Sequence, residues 1–134
     1  MTEIESDICR VDFSDDTVYS FLSNLNNHQK IMPSQISEWW SSDTEAKMKI
    51  QGLGALHLGL DQCRPNSYLK IVPIGTAPVN LYIEWHLTNK DGACNVQVLF
   101  FAELNVFMKM VAEKPLKNLA NYMAHKLNEA IKGS

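Results

Sequence analysis

Two segments in the second half of the chain have apolar residues at every second position, and this pattern constrains the fold more than any other. The segments span 79–88 and 93–104. Their apolar positions are Val79, Leu81, Ile83, Trp85, Leu87, Val96, Val98, Phe100, Ala102 and Leu104. Because successive side chains of a β-strand point to opposite faces, the pattern predicts two strands of an antiparallel sheet with one dry face and one mostly wet face.

The C-terminal segment changes to helical spacing. An apolar stripe at intervals of three and four residues is formed by Leu116, Leu119, Ala120, Met123, Leu127 and Ile131. The stripe predicts a long amphipathic helix that covers the dry face of the sheet. Pro115 is predicted either to open this helix in its first turn or to kink it away from a preceding turn around 108–113.

The first part of the chain predicts one strand and one broken helix. Within 2–13, Ile4 and Ile8 are out of phase with the later apolar residues, which a bulge in a single strand accommodates. Ser14 is a suitable N-cap for a short amphipathic helix. Three asparagines interrupt the helical spacing, and a second short helical piece has to end before Pro33.

Turn-forming residues divide the middle of the chain into strands. The predicted strands lie near 36–40, 45–63, 68–72, 79–88 and 93–104. The segment 45–63 is very long for one strand, and Gly52 and Gly54 predict a bulge or sharp bend within it. The whole pattern predicts an α+β fold, in which a curved antiparallel sheet of about six or seven strands wraps around the C-terminal helix, with two short helices after the first strand.

Length and composition favour one domain over residues 1–134. The apolar fraction is 46%, yet no apolar run reaches the roughly 18 residues that a membrane span needs. The start of the chain lacks the features of a signal peptide, so we expect a cytoplasmic protein with no membrane span. Three cysteines at wide spacings fit neither a disulfide framework nor a zinc pattern and are expected to be free thiols.

The charge pattern argues against nucleic acid as a partner. The net charge is −3, and the five lysines between Lys109 and Lys132 are interleaved with Glu113 and Glu129. This arrangement is typical of a solvated helix face, and no arginine is present there. We therefore expect no nucleic-acid binding. The sequence leaves it undecided whether the protein forms a homodimer.

No motif for catalysis, a metal or a cofactor is present. The four histidines lie far apart, and the alternation places His57 and His86 away from the dry face. Nothing in the sequence identifies a base beside Cys9. The segment Glu103–Asn105 is the best candidate for proton transfer, but an asparagine there more often caps a helix. We expect no catalytic residue, no metal and no cofactor.

Several segments carry a family resemblance. They are 18–25 leading into 31–33, the region of Trp39, 50–54, and 105–110 followed by 113–116. With the order of the elements, they resemble a bacterial subgroup of the START-like superfamily, also called SRPBCC, which includes polyketide cyclases and lipid-transfer domains. The resemblance covers essentially the whole chain. It implies a helix-grip fold whose cavity, between the sheet and the C-terminal helix, holds a lipid, polyketide or other apolar molecule.

The apolar residues of the sheet and helices supply the candidate lining of that cavity. These candidates are Phe21, Leu25, Met32, Met48, Leu58, Leu81, Ile83, Trp85, Val98, Phe100, Met108, Leu119 and Met123. An empty void of about 300 Å³ costs on the order of 7 kcal/mol, comparable to the net stability of a domain. We therefore expect either a small cavity filled by methionines or an occupied one.

Three functions are compatible with the sequence. The leading hypothesis is the binding or carriage of a small hydrophobic molecule without catalysis. The alternative is a cyclase or dehydratase, which needs Glu103, Asn105, Tyr82 or a histidine to point inward. A third hypothesis is a macromolecular adaptor, for which the Trp39 and Trp40 pair supplies an exposed anchor.

Overall fold

The structure, a computed structural model, describes all residues from 1 to 134. Its strands are β1 (Thr2–Glu5), β2 (Cys9–Val11), β3 (Ile36–Ser41), β4 (Glu45–Ile50), β5 (Gly54–Arg64), β6 (Tyr68–Pro73), β7 (Leu81–Lys90) and β8 (Ala93–Ala102). Its helices are α1 (Asp15–Leu22), a 3₁₀ helix (Leu25–Ile31) and α2 (Val106–Lys132). No helix is long and apolar enough to cross a membrane.

All eight strands belong to one antiparallel sheet. Their order is β1, β8, β7, β6, β5, β4, β3, and β2 pairs with β8 as well. The predicted α+β fold is confirmed. The predicted alternation is confirmed too, because the register sets Ile83 opposite Phe100 and Trp85 opposite Val98 on the buried face.

The first predicted strand is in fact two strands, so a single bulged strand was wrong. The break falls at Ser6, which is buried. Its hydroxyl accepts a hydrogen bond from the Val98 amide at 3.0 Å, and its own amide donates to the Val98 carbonyl at 2.9 Å. Because Ser6 ties both halves to β8, the chain changes phase there, which buries Ile4 and Val11 and leaves Ile8 exposed.

The long predicted strand 45–63 is a hairpin of β4 and β5, not one bent strand. The turn lies between Ile50 and Gly54, which pair with each other. Gly52 and Gly54 have φ angles of 90° and 100°, in the left-handed region that glycine adopts without a steric cost. The two glycines therefore reverse the chain completely.

The first short helix begins where the sequence predicts. The Ser14 hydroxyl caps α1 by accepting a hydrogen bond from the Thr17 amide at 3.2 Å. The Asn24 side chain caps the 3₁₀ helix in the same way. Both helices place apolar residues against the sheet, and the second ends at Ile31, before Pro33, as predicted.

Helix α2 extends ahead of the apolar stripe, over the whole segment in which the sequence has helical spacing. It begins at Val106, and the Asn105 side chain caps it by accepting a hydrogen bond from the Met108 amide at 2.8 Å. Pro115 does not open the helix, because it lies in the middle of one continuous helix that includes residues 108–113. Its missing N–H leaves the Val111 carbonyl, at an exposed part of the helix, without a helical donor. The predicted stripe is buried along its whole length.

The two helical layers cover different parts of the sheet. Helix α2 lies against β1, β2 and β8, whereas the 3₁₀ helix lies between α2 and the strands β3 and β4. One continuous core of 33 buried residues joins these elements, and Ile36 and Trp39 of β3 pack against it. The buried face of β4 to β7 is therefore reached from the side of the 3₁₀ helix.

Candidate functional site

An internal cavity lies between the 3₁₀ helix and the buried face of the sheet. Its lining consists of Leu25, His28, Met32, Trp39, Ala46, Met48, Leu58, Ile71 and Ile83. No residue of α2 is among them, so this cavity differs from the predicted one between the sheet and the C-terminal helix. The reason is that the α2 stripe is closely packed on the neighbouring part of the core. The space between β1 and α2 is a surface groove lined by Ile4, Val106 and Met110 with several charged residues.

The cavity is small. The room in which a water molecule can be centred is about 20 Å³. One water molecule needs roughly 10–15 Å³ on the same measure, so the space takes one oxygen-sized group and nothing larger. Such a void costs only about 0.5 kcal/mol. The expectation of a small, methionine-filled cavity therefore describes this interior.

Flexible side chains fill the space that a ligand would need. Met48 is buried, and Met32 is half-buried and packs at the edge of the core. Methionine has three rotatable bonds and a polarisable sulfur, so it repacks around differently shaped neighbours more easily than a branched residue does. The wall that these two residues form is the deformable part of the lining.

Trp39 closes the cavity on the side of β3. The register between β3 and β4 shifts between Ser37 and Trp40, and Glu38 within this bulge has a φ of 53°. The bulge turns Trp39 inward and leaves Trp40 outside with half of its surface exposed. The Lys47 ammonium lies 5.3 Å from the centre of the Trp40 ring.

Two hydrogen bonds hold Trp39 to the 3₁₀ helix. The Trp39 indole Nε1–H donates to the Ser41 hydroxyl at 3.0 Å. The Ser41 hydroxyl donates in turn to Asn26 Oδ1 at 2.8 Å. These two hydrogen bonds join β3 to the 3₁₀ helix at the surface. They have to break or shift if a ligand enters beside Trp39.

His28 is the one titratable side chain in the lining. It is only 3% exposed, and its Nε2 lies 2.7 Å from the Leu22 carbonyl oxygen. A carbonyl only accepts, so Nε2 carries the proton and donates it. Burial lowers the pKa of His28 to about 4, against a smaller opposing effect of that hydrogen bond. The imidazole is therefore neutral at pH 7, and Nδ1 is a hydrogen-bond acceptor.

Trp85 lies directly behind His28. The two rings are nearly perpendicular, at 88°, with their centres 6.4 Å apart. Trp85 is fully buried, and its indole Nε1–H has no acceptor within the chain. Leaving such a donor unpaired costs about 1–3 kcal/mol, and Trp85 is not among the residues that line the cavity.

The predicted cavity residues fall into three groups. Five of them line the cavity: Leu25, Met32, Met48, Leu58 and Ile83. Seven are buried elsewhere in the core: Phe21, Leu81, Trp85, Val98, Phe100, Leu119 and Met123. Met108 is half-buried and packs at the edge of the core.

Four lining residues were missed by sequence reasoning. Ala46 and Ile71 share the alternation of Met48 and Leu69, so the strand pattern could have found them. His28 lies three residues from both Leu25 and Ile31, a helical spacing that also indicates burial. Nothing in the sequence could have shown that Trp39 faces inward.

The other candidates for chemistry lie outside this cavity. Tyr82 stacks on Phe101 on the outer face, with the ring centres 4.8 Å apart. Glu103 is exposed and accepts a hydrogen bond from Asn80, and Asn105 caps α2. Partial burial and the nearby Asp7 raise the pKa of the Cys9 thiol, which disfavours the nucleophilic thiolate.

The remaining histidines do not form a cluster. His57, His86 and His125 each lie within hydrogen-bond distance of one carboxylate, at 2.6 to 2.9 Å. No group of three or more histidine, cysteine, aspartate or glutamate side chains could hold a metal ion.

Solved structures share this architecture along almost the whole chain. The TTHA0849 protein of Thermus thermophilus superposes with a TM-score of 0.76 at 8% identity, over 98% of both chains. A START superfamily protein from Mycobacterium smegmatis superposes with a TM-score of 0.65 at 14% identity, over 98% of this chain and 97% of its own. The chain has the START-like fold.

XoxI from Bacillus cereus also superposes on this chain, with a TM-score of 0.75 at 12% identity, over 98% of this chain and 96% of its own. The sequence matches no family model and no curated protein. At these identities the likeness concerns the START-like fold alone, and the function has to be argued from the site.

Proposed function

We propose that this chain binds a small hydrophobic molecule in the cavity beneath the 3₁₀ helix, without catalysing its conversion. The supporting observation is the lining itself, in which eight of nine residues are hydrophobic and two of these are methionines. Pockets for small molecules combine an apolar lining with few polar groups, and here His28 supplies the polar group. Lipids and polyketide-like compounds are the ligand classes that the family resemblance implies.

Binding requires the site to open, and the energies make opening feasible. A ligand that buries about 200 Å² of apolar surface gains about 5 kcal/mol. Separating Trp39 from Ser41 sacrifices a hydrogen bond with a net value of about 1 kcal/mol. Turning Met32 and Met48 costs side-chain entropy but breaks no hydrogen bond. The apolar gain therefore exceeds the cost of breaking this one hydrogen bond.

A substitution that fills the cavity with a larger side chain provides the test. Purified protein is incubated with an organic-solvent extract of cells, purified again and measured by native mass spectrometry. The wild type should retain a small apolar adduct. Ala46→Val adds two methyl groups to the lining and should lose the adduct, whereas Ala55→Val makes the same change at an exposed position of β5 and should keep it.

Two outcomes contradict the proposal. One is a wild-type chain that retains no adduct. The other is an adduct retained equally by all three proteins, since a molecule bound elsewhere is insensitive to Ala46.

The geometry gives less support to the enzyme alternative. His28 is the only titratable group in the lining, and its low pKa makes it a weak base. Its Nε2 is committed to the Leu22 carbonyl, and no second titratable side chain lines the cavity to act as the acid.

A second candidate function is supported by an exposed apolar surface. The first turns of α2 expose Val106, Phe107, Met110 and Val111, and Phe107 is 72% exposed. Exposed apolar patches often contact a partner protein, which is the adaptor hypothesis with a different anchor from Trp40. Affinity capture with wild type and with Phe107→Ser tests it, and identical sets of captured proteins count against this anchor.

A further inference from the structure

A groove of about 960 Å³ runs between β1 and the first turns of α2, whereas the internal cavity has only about 20 Å³. Glu3, Ile4 and Glu5 form one wall of the groove, and residues of α2 from Val106 to Lys117 form the other. At about 1.5 Å per helical residue the second wall is about 16 Å long, which is the length of an extended strand of about five residues. The groove therefore has room for one more strand beside β1.

The backbone of β1 has free hydrogen-bonding groups on the side of this groove. β1 is an edge strand and pairs with β8 alone. The Ser6 amide donates to the Val98 carbonyl of β8, and along an antiparallel strand the residues that bond the partner alternate with residues whose backbone faces away. The N–H and C=O groups of Glu3 and Glu5 therefore face the open edge. Lys117, which lines the groove, donates to the Glu5 carbonyl, so this edge faces the groove and three of its groups stay unpaired.

The side chains of β1 determine which strand fits there. Ile4 is buried on the face that α2 covers, whereas Glu3 and Glu5 are exposed on the other face. Facing side chains on neighbouring strands stabilise the pair when their charges are opposite and destabilise it when they are alike. A matching strand therefore has lysine or arginine opposite Glu3 and Glu5, with apolar residues between them on the side of Ile4.

The wall formed by α2 suits the apolar side of such a strand. Val106 and Met110 line the groove one turn apart, and both side chains are largely exposed. Lys109 is paired with Glu113 at 3.9 Å, and Lys117 is engaged by a backbone carbonyl, so neither lysine forms an ion pair with the carboxylates of β1. Apolar surface and unpaired carboxylates therefore lie side by side in the groove.

A second copy of this chain fits the same edge poorly. Two β1 strands that pair antiparallel about a two-fold axis place the glutamates of one copy opposite those of the other, whether the axis passes through Glu3, Ile4 or Glu5. Like charges in facing positions destabilise the pair, and charged residues on a short edge strand are one way in which proteins avoid self-association. The charges of β1 therefore favour a basic partner over a copy of the chain.

We propose that the edge of β1 binds an extended segment of a partner protein by β-sheet addition, with basic residues at alternate positions and apolar residues between them. Strand addition at a free edge is a general mode of peptide recognition, in which the backbone supplies affinity and alternate side chains supply specificity. This inference deepens the second candidate function, because it names the chemistry of a partner for the face next to Phe107. It does not depend on a ligand in the internal cavity.

Two synthetic peptides test the charge pattern, namely acetyl-Ser-Val-Lys-Val-Lys-Val-Ser-amide and the same peptide with glutamate in place of lysine. Titrations of ¹⁵N-labelled protein followed by NMR give the affinities. The lysine peptide should bind about tenfold more tightly, because both facing pairs change from opposite to like charge in the glutamate peptide. It should move the amide proton signals of Glu3 and Glu5 downfield.

Charge reversal on the protein provides the matched control. Glu3→Lys combined with Glu5→Lys should reverse the preference, so that the glutamate peptide binds about tenfold more tightly. Asp61→Lys combined with Glu129→Lys changes the net charge equally at exposed positions outside the groove and should keep the wild-type preference.

Two N-methylated versions of the lysine peptide separate sheet addition from simple charge attraction. The lysines lie opposite Glu3 and Glu5, whose backbone groups face the edge, so the lysine amides should face β1 and the valine amides should face away. Methyl groups on the two lysine amides should weaken binding at least about tenfold, whereas methyl groups on two valine amides should leave it unchanged.

Several outcomes overturn the proposal. They are no binding of the lysine peptide, equal binding of the lysine and glutamate peptides, and equal effects of the two methylation patterns. Shifts of the Glu3 and Glu5 amides with protein concentration alone would identify a second copy as the occupant and overturn it as well. Peptide binding is measured at β1 and ligand binding at Met32 and Met48, so a failure here leaves binding in the internal cavity intact. The same partner proteins captured by wild type and lost with Phe107→Ser would leave the second candidate function intact.

Discussion

At the scale of single residues, His28 couples the stability of the fold to pH. Its pKa is about 4 in the folded chain and about 6.5 in the unfolded chain, so between these values only the unfolded chain binds the proton. The free energy of unfolding should therefore fall as the pH drops from about 6.5 to about 4, by roughly 3 kcal/mol from this residue. Below pH 4 both the folded and the unfolded chain bind the proton, so His28 should cause no further change in the free energy of unfolding.

Urea denaturation at several pH values between 7 and 4 measures this effect. His28→Gln is the matched variant, since a glutamine amide can still donate to the Leu22 carbonyl but does not titrate. Subtracting the free energy of unfolding of the variant from that of the wild type at each pH cancels the contribution of every other titrating group. An identical pH dependence in both proteins contradicts the burial of a neutral histidine.

At the scale of elements, α2 contains a proline that the helix does not need. Pro115 offers no donor to the Val111 carbonyl, and it contributes only its own carbonyl, which accepts a hydrogen bond from Gln35 Nε2 at 3.2 Å. Pro115→Ala restores the helical hydrogen bond and keeps that carbonyl. It should raise the free energy of unfolding by about 1–3 kcal/mol.

Chemical denaturation of Pro115→Ala and Lys114→Ala measures this gain. Lys114 is exposed on the preceding position of the same helix, so its replacement should change stability by less than about 0.5 kcal/mol. A Pro115→Ala protein that is less stable than the wild type would show that the proline geometry is required by the packing of α2.

The elements also show what periodicity can and cannot predict. The alternation of β7 and β8 and the stripe of α2 were read correctly, because burial on one face leaves a direct trace in residue order. The phase change at Ser6 depends on its hydrogen bonds to Val98, which lies 92 positions away. No local pattern contains that contact.

The candidate site was only partly predictable for the same reason. Leu58 was identified through strand alternation, and Met48 as one of the flexible methionines. Trp39 faces inward because Glu38 adopts a left-handed φ, which sequence signals through glycine or asparagine but not through glutamate. The hairpin at Gly52 was read as a bend because glycines permit both.

At the scale of the whole molecule, shortening one buried side chain should enlarge the cavity enough for a ligand to enter. Met48→Ala removes a buried side chain next to an existing space, so it should lower the free energy of unfolding by about 2–5 kcal/mol. Because Met48 no longer has to move aside, toluene should bind this variant more tightly than the wild type. At about 100 times its Kd, toluene should restore about 2.7 kcal/mol.

Thermal unfolding with and without toluene measures this recovery. Met110→Ala, at a side chain that is 78% exposed, should leave both the stability and the response to toluene at wild-type values. A Met48→Ala protein that loses stability but gains no response to toluene would show that the void collapses instead of accepting a ligand.

The claim that the interior beneath the 3₁₀ helix accepts a small apolar molecule is tested most directly by NMR of the six methionine methyl groups. With ¹³C-methyl methionine and 4-ethyltoluene, Met32 and Met48 should shift and show nuclear Overhauser contacts to the ligand. Met110 and Met1 are exposed and should not respond. Contacts to Met110 or Met1 without contacts to Met32 and Met48 would place the apolar site on the surface and contradict the account.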